Sequence, residues 1–564
     1  MDYKKLYQAW LKDEAIDEKS KEELRALEGN EEEIKDRFYT SLAFGTAGLR
    51  GKLGAGTNRM NIYTVGAACE GLARFIEDNG QEAKDQGVAI AYDVRHFSKE
   101  FSKLSAEILA AHGIKVYIHT ECQPTPLLSY TVKKTGAFAG IMVTASHNPR
   151  EYNGYKVYNG QGSQILDDWA KAIEGRIAGV ESFASIQRLD YEEGKAKDLI
   201  REISRELIED YIKDILTLPI HDDALDKSIN IVYSPLNGTG NKLVRRILKE
   251  RGFDNVHIVK EQENPDPDFT TIGYPNPEDP KAFALSEKLG KEVGADLLFA
   301  TDPDSDRCAL EVRDEDGDYV FFDGNKVGAL IGNYIISEKE AQGQLPENGA
   351  VIKSIVTGDL LAVIAEDYGV ECFEVLTGFK NIAAPVNEWD ETGEYEYLYG
   401  FEESIGYNPS QFVRDKDAVS SAMMIAEMAA FYHAQGKSLI DVLQELYEEY
   451  GYYFNRLKAT VLEGFDGKEK IQRIMEEFRK NPLEEIAGMK LDEVIDYEND
   501  ETGLPKSNVL RYFYDDGSWY AIRPSGTEPK IKVYMYAVGD SAEEAEKKLQ
   551  AFESATDDVF ATVQ

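Results

Sequence analysis

The sequence predicts an α/β protein: three consecutive α/β domains with mixed sheets, followed by a C-terminal α+β domain. Apolar runs of strand length alternate with helix-length segments in three successive rounds, and polar loops, several rich in Gly or Pro, follow the strands. From about Tyr452 the pattern changes to a helix and aromatic, alternating strands. Length agrees, since 564 residues exceed one core and suit three to five domains of about 100–200 residues each.

Composition narrows the function classes. Hydrophobic content of 42% with 29% charged residues describes a soluble globular chain. The balance of 63 basic against 103 acidic side chains gives −40, which argues against nucleic acid or an anionic membrane as partner. The acidity reads as a solvated surface, so an anionic ligand would need isolated cations in Gly-rich loops. The four cysteines show no C-x-x-C spacing and read as reduced thiols of a cytosolic protein. The charged start has no apolar signal core, and no window reaches membrane-spanning length.

Taken in order, residues 1–40 read as one or two surface helices. The Gly-rich stretch Phe44–Gly51 lets backbone approach a ligand, with Arg50 supplying charge, but in isolation it reads first as a turn with a surface arginine. A helix over Val65–Asp78, a strand over Val88–Tyr92 ending in Asp93–His96, a helix over Ser98–His112 and a strand over Val116–His119 follow. This alternation predicts a mainly parallel sheet. The next strand, Phe138–Val143, breaks into Thr144-Ala145-Ser146-His147-Asn148-Pro149. Pro149 disfavours helix at Asn148 and so places Ser146 on a tight loop at a strand end, where open α/β sheets hold ligands. By itself the Ser146–His147 pair reads as a turn rather than a nucleophile, and it lacks the G-x-S-x-G frame of a hydrolase elbow. Lys156 follows in the polar segment Glu151–Gly160.

After a helical connector, Glu202–Leu218, the second round opens with strand Ile229–Tyr233 and loop Ser234–Gly240, and closes with strand Ala295–Ala300 running into Thr301–Arg307. In the third round, strand Ala350–Ile355 leads to loop Val356–Gly358, and loop Thr377–Lys380 precedes strand Glu396–Tyr399, which ends in Gly400–Gly406. Helix Ala418–His433 comes next. The last part holds helix Gly467–Arg479, strands Val509–Tyr514, Ser518–Ile522 and Ile531–Val538, and helix Ser541–Val559, with Arg523–Lys530 between two strands.

Three of these loops carry recognisable chemistry. Asp302, Asp304 and Asp306, spaced by two, can turn three carboxylates towards one hard divalent ion such as Mg²⁺. A calcium EF-hand loop is excluded, because its glycine position holds Arg307 and its glutamate position Arg313; a solvated acidic turn is the remaining alternative. Arg523, Ser525, Gly526 and Thr527 combine a guanidinium fork, hydroxyls and a small backbone to surround a phosphate, or form an exposed turn. Glu402, Glu403 and Ser404 offer acceptors for sugar hydroxyls. The Arg414–Asp417 stretch adds cations for an anionic ligand, or a charged helix start capped by Asp417.

With these loops and the Ser146 loop in chain order, the sequence resembles the α-D-phosphohexomutase family from about Phe44 to the C-terminus. The resemblance implies a heart-shaped four-domain arrangement: a helical extension over 1–40, then domains over 41–205, 206–322, 323–450 and 451–564. It implies that Ser146 carries a phosphoryl group and, with Asp302, Asp304 and Asp306, holds one Mg²⁺. Lys156, and in second place His147, would move protons or stabilise charge, and Arg50 and Arg307 would contact phosphoryl or substrate groups. Thr377, Gly378, Glu402, Ser404, Lys416, Arg523, Ser525, Gly526 and Thr527 would bind the substrate. The implied reaction is a mutase exchange of glucose 1-phosphate and glucose 6-phosphate, with glucose 1,6-bisphosphate as intermediate and activator. Glu403 and Gly526 favour glucose over mannose phosphates; Gly406–Ala418 resembles the branch that includes phosphopentomutases and a glucose-1,6-bisphosphate synthase. A non-catalytic sugar-phosphate sensor is the reading from another class. The expected setting is cytoplasmic, as a monomer or weak homodimer acting on small sugar phosphates, without nucleic acid or membrane.

Overall fold

The computed structural model describes residues 2–45, 48–180, 182–222, 225–462, 465–525 and 530–563. The chain forms two compact units, one comprising Met1–Asp323, Ala383–Gly393 and Ser404–Ala434, the other Gly324–Ile382, Glu394–Glu403 and Gln435–Gln564.

The first unit begins with three helices, Tyr3–Lys12, Glu18–Arg25 and Glu31–Phe38, rather than one or two. Asp2, Asp17 and Asn30 cap them by accepting from backbone amides one turn on, which divides the charged stretch into separate helices. Their apolar faces build a small core of their own, with Tyr7, Trp10, Leu24 and Phe38 packed beside Tyr63.

The first sheet carries six strands in the order Leu49–Lys52, Tyr152–Asn159, Ala139–Val143, Val88–Tyr92, Val116–Ile118, Ile200–Glu202. The last four pair in parallel. Val88–Tyr92 and Ala139–Val143 are buried along their whole length, as expected of parallel strands covered on both faces. Tyr152–Asn159 runs antiparallel between Ala139–Val143 and Leu49–Lys52. The stretch that reads as a polar segment is therefore an inner strand, and Arg50 stands on a strand paired with Gly154. Asn153 and Lys156 conceal it in the sequence, because both are buried polar side chains.

A second, mixed sheet is ordered Tyr319–Phe322, Cys308–Arg313, Leu297–Thr301, Ile231–Ser234, Val256–Ile258, parallel through the last three and antiparallel at the first two. In the second unit, Glu371–Val375, Gly349–Ser354 and Glu396–Glu402 pair in parallel in that order. Beyond them lies an antiparallel sheet ordered Tyr452–Val461, Lys530–Gly539, Trp519–Pro524, Leu510–Tyr514, Met489–Asp496, Glu485–Ile486. Helices Phe465–Lys480 and Ala542–Thr562 pack on it through Ile474, Phe478, Leu549 and Phe552. This is the C-terminal α+β part, and three α/β parts precede it.

Candidate active site

Ser146 sits, buried, on the turn that follows strand Ala139–Val143, with φ of 51°, a left-handed conformation. Thr144 Oγ1 accepts from Ser146 N at 2.8 Å and donates to Asp93 Oδ2 at 2.7 Å. The fully buried Arg95 side chain holds the turn from below. Its guanidinium donates to the carbonyls of Ser146 (2.5 Å), Asn148, Pro149 (2.9 Å) and Tyr152 (3.1 Å). Arg50 Nη1 reaches Asn148 Oδ1 at 3.4 Å.

The Ser146 hydroxyl donates to Asp302 Oδ2 at 2.8 Å and lies 3.3 Å from His147 Nδ1. Burial, with Arg307 and Arg50 nearby, pushes the His147 imidazole well below its ordinary range, so the ring is neutral at neutral pH.

Asp302, Asp304 and Asp306 converge on the loop after strand Leu297–Thr301. Each offers a carboxylate oxygen within 4.8 Å of the others, and all three are buried. Asp302 Oδ1 accepts from Arg307 N at 3.1 Å. Asp304 Oδ2 accepts from Thr125 Oγ1 at 2.8 Å and from Lys156 Nζ at 3.1 Å. Asp306 Oδ2 lies 3.3 Å from Lys416 Nζ, which also pairs with Asp415 at 3.0 Å. Burial and the two neighbouring carboxylates push Asp302 well above the usual carboxylate range. Burial opposes ionisation of Asp304 too, but the Lys156 ammonium and the Thr125 hydroxyl hold its carboxyl below that range. Among the described residues, Asp304 Oδ1 and Asp306 Oδ1 are buried without a hydrogen-bond partner. Buried carboxylate oxygens without a hydrogen-bond donor, in an all-oxygen set, suit a hard divalent cation, and the residues present fit Mg²⁺.

Arg307 directs its side chain to Glu278, with Nη1 3.4 Å from Oε2. Lys416 is buried between Asp306 and Asp415, and Asp415 is held from its other side by the Tyr158 hydroxyl at 2.7 Å. Asp417 caps helix Ala418–His433 by accepting from Val419 N and Ser420 N.

The second unit carries Thr377, Gly378, Glu402, Arg523 and Ser525. Glu402 Oε1 accepts from Gly378 N at 2.7 Å, and Glu403 Oε2 accepts from Thr357 Oγ1 at 3.1 Å. Burial and the adjacent Glu402 push the Glu403 carboxyl up to about 7. Arg523 lies next to the end of strand Trp519–Pro524, just before Pro524, and Ser525 N donates to Lys530 O at 2.7 Å. Gly526 and Thr527 lie outside the described residues. Ser404 belongs to the first unit, where Ile405 O accepts from Cys308 N at 3.1 Å.

Sequence reading passed over Arg95, Asp93, Thr125 and Asp415 as site-building residues. The position of Asp93 and Arg95 at the end of a parallel strand beside the Ser146 strand is the feature that marks them.

A serine on a strand-end turn against a buried aspartate cluster, in three α/β parts and an α+β part, defines a phosphoryl-transfer protein built on strand ends. Four stretches of the chain match descriptions of one family: phosphoglucomutase/phosphomannomutase alpha/beta/alpha domain I over 41–183, domain II over 209–317, domain III over 323–450 and the C-terminal domain over 471–554. The chain belongs to the phosphoglucomutase/phosphomannomutase family and is a mutase, an isomerase-class enzyme. It is 37% identical to the phosphoglucomutase of Staphylococcus aureus strain USA300, over 92% of this chain and 94% of that protein. It is 38% identical to the phosphoglucomutase of Staphylococcus epidermidis, over 89% of this chain and 92% of that protein. Its fold is similar to that of pp63/parafusin, a phosphoglucomutase from Paramecium, at a TM-score of 0.70 and 18% identity, covering 93% of this chain and 95% of that one. A phosphoglucomutase/phosphomannomutase family protein from Burkholderia thailandensis is similar at a TM-score of 0.69 and 19% identity, covering 93% and 99%.

Proposed function

We propose that this mutase interconverts α-glucose 1-phosphate and glucose 6-phosphate, with Ser146 as phosphoryl carrier and glucose 1,6-bisphosphate as intermediate and activator. The observation that carries the proposal is the approach of the Ser146 hydroxyl to Asp302, at 2.8 Å, on a turn set against a buried three-aspartate cluster. Glucose as the sugar follows from the phosphoglucomutases at 37–38% identity over nearly the whole chain.

In the forward half-reaction the Ser146 Oγ–P bond breaks as a sugar hydroxyl oxygen bonds to phosphorus, and the hydroxyl proton leaves to a base. After the bisphosphate turns over, the sugar O–P bond of its other phosphate breaks as Ser146 Oγ bonds to phosphorus, the serine proton leaving to a base and the freed sugar oxygen taking a proton to become a hydroxyl. The neutral His147 imidazole, 3.3 Å from Ser146 Oγ, suits proton exchange with the serine oxygen, taking its proton when Ser146 attacks in the return step. Lys156, paired with Asp304, suits a charge-balancing role beside the transferred group. Arg50, next to Asn148 on the serine turn, and Arg307 are the cations for phosphoryl or substrate contact. Mg²⁺ held by Asp302, Asp304, Asp306 and the Ser146 phosphate would supply charge neutralisation on the phosphoryl oxygens. Thr377, Gly378, Glu402, Ser404 and Lys416 are proposed for the sugar, and Arg523, Ser525, Gly526 and Thr527 for the non-reacting phosphate. The four free cysteines suit a reducing compartment such as the cytoplasm, where the enzyme would act as a monomer or weak homodimer.

The test supplies glucose 1-phosphate, Mg²⁺ and a trace of glucose 1,6-bisphosphate and follows glucose 6-phosphate. Turnover that disappears in Ser146→Ala, together with one phosphoryl group on the intact wild-type protein, is the expected result. Turnover of ribose 1-phosphate or mannose 1-phosphate in place of glucose 1-phosphate would overturn the substrate; no turnover of any sugar phosphate would leave a sensor.

A further inference from the structure

We infer that Phe269 is a positioning residue for phosphoryl transfer. It sets Ser146 against the aspartate loop by placing its ring under the Arg95 guanidinium. The inference rests on the mutase reading above, in which Ser146 is the phosphoryl carrier.

The two terminal nitrogens of Arg95 are fully used, while its Nε has no hydrogen-bond partner among the described residues. Four carbonyls of the Ser146 turn accept from its two terminal nitrogens, and Asp93 Oδ2 lies 3.2 Å from Nε. Its Cζ lies over the Phe269 ring, 5.1 Å from the ring centroid, and Phe269 is fully buried. A cation bonded through its terminal nitrogens and lying over a buried ring has little freedom to shift, so the four carbonyls inherit the position of that ring.

The ring is fixed in turn to the aspartate loop. Phe269 holds φ of 46°, a left-handed backbone in a residue that seldom adopts it, and its amide donates to Asp266 O at 3.1 Å. Asp266 N donates to Asn237 O at 3.2 Å, and Asn237 Nδ2 donates to Asn264 O at 2.8 Å. The next residues of the Asn237 turn lie directly on the aspartate loop. Thr239 N and Oγ1 donate to Pro303 O at 2.9 and 3.0 Å. A side chain at Gly238 would stand 2.6 Å from Pro303 Cα, so only glycine allows that approach.

A continuous set of contacts thus runs from the Ser146 carbonyl through Arg95, Phe269 and Asn237 to Pro303, between Asp302 and Asp304. It fixes two loops that lie 156 residues apart in sequence at the 2.8 Å separation of Ser146 Oγ and Asp302 Oδ2. Transfer in line depends steeply on such distances, and an ångström of misplacement costs about a hundredfold in rate.

The experiment compares wild-type chain, Phe269→Ala and Phe269→Leu, the last restoring bulk over the guanidinium. In Phe269→Ala, kcat for glucose 1-phosphate should fall about ten- to a hundredfold while KM moves less than about twofold, and Phe269→Leu should recover most of the loss. Amide hydrogen exchange gives a readout that needs no turnover: residues 144–152 should exchange faster in Phe269→Ala, with strand Ile231–Ser234 unchanged. Unchanged exchange of 144–152, or exchange raised equally in Ile231–Ser234, overturns the inference, as does wild-type kcat in Phe269→Ala. Should the wild-type chain turn over no sugar phosphate, the mutase reading fails and the exchange result alone decides the role of Phe269.

Discussion

One guanidinium, that of Arg95, collects four carbonyls of the reactive turn, and one hydroxyl, that of Thr125, reaches Asp304 across 179 residues of sequence. Neither is visible along the chain, because their partners come from other strand ends. Ser146 and the three aspartates are visible, because each set occupies one short loop whose spacing already states its chemistry. A different residue shows what burial alone does. Glu311 on strand Cys308–Arg313 is buried with Oε2 lacking a hydrogen-bond partner, and burial, reinforced by Glu287, pushes its carboxyl from 4.5 up to about 8. The neutral form is the one the fold accommodates. Its contribution is therefore complete below about pH 4.5 and is lost progressively as pH rises through about 8. Glu311→Gln should match the wild-type Tm at the acidic end of this window and exceed it by a few degrees at the alkaline end. Thermal melts across the window check this, and a Tm difference independent of pH would refute it.

At the scale of elements, strand Tyr152–Asn159 is the member the sequence conceals. Strand patterns are recognised by apolar residues, and this strand buries Asn153 and Lys156 in its middle. Lys156 is tolerated there because Asp304 neutralises it, a compensation that only another part of the chain supplies. Gly154 lets the strand pass beside the Ser146 turn, since a side chain there would stand 2.4 Å from the Thr144 carbonyl and 3.0 Å from that of Leu49. Gly154→Ala should destabilise the first unit by about 1–3 kcal/mol, the usual cost of overpacking, and lower turnover by displacing both Thr144 and Lys156. Melting and steady-state kinetics measure both effects, and a variant with wild-type Tm and kcat would show that the strand has room to yield. The strands Val88–Tyr92 and Ala139–Val143 needed no such help, because wholly apolar runs between helices leave one reading.

At the scale of the whole molecule, the second unit is held by a buried charge cluster outside the reactive loops. Arg511 stacks on Trp519 at 4.0 Å and pairs with Glu374 at 2.9 Å, while Lys353 pairs with Asp359 at 2.8 Å and with Glu374. Removing Arg511 leaves the half-buried Glu374 and Asp359 to Lys353 alone, so Arg511→Leu should cost about 1–3 kcal/mol. Because the cluster lies within one unit, calorimetry should show one transition lowered and another unmoved, whereas a single transition shifted as a whole would show that the units melt together. The chain by itself determined the α/β order, the change to an α+β part near Tyr452, the aspartate loop and the serine loop. These features rest on periodicity and short spacing, which are local properties of a polymer. Only the tertiary structure decided that Lys156 and Lys416 are buried partners of Asp304 and Asp306, that Arg95 is the clamp of the Ser146 turn, and that Phe269 lies against it. Each of those is a pairing of charges or rings far apart in sequence, whose energy depends on a distance that composition and spacing do not contain.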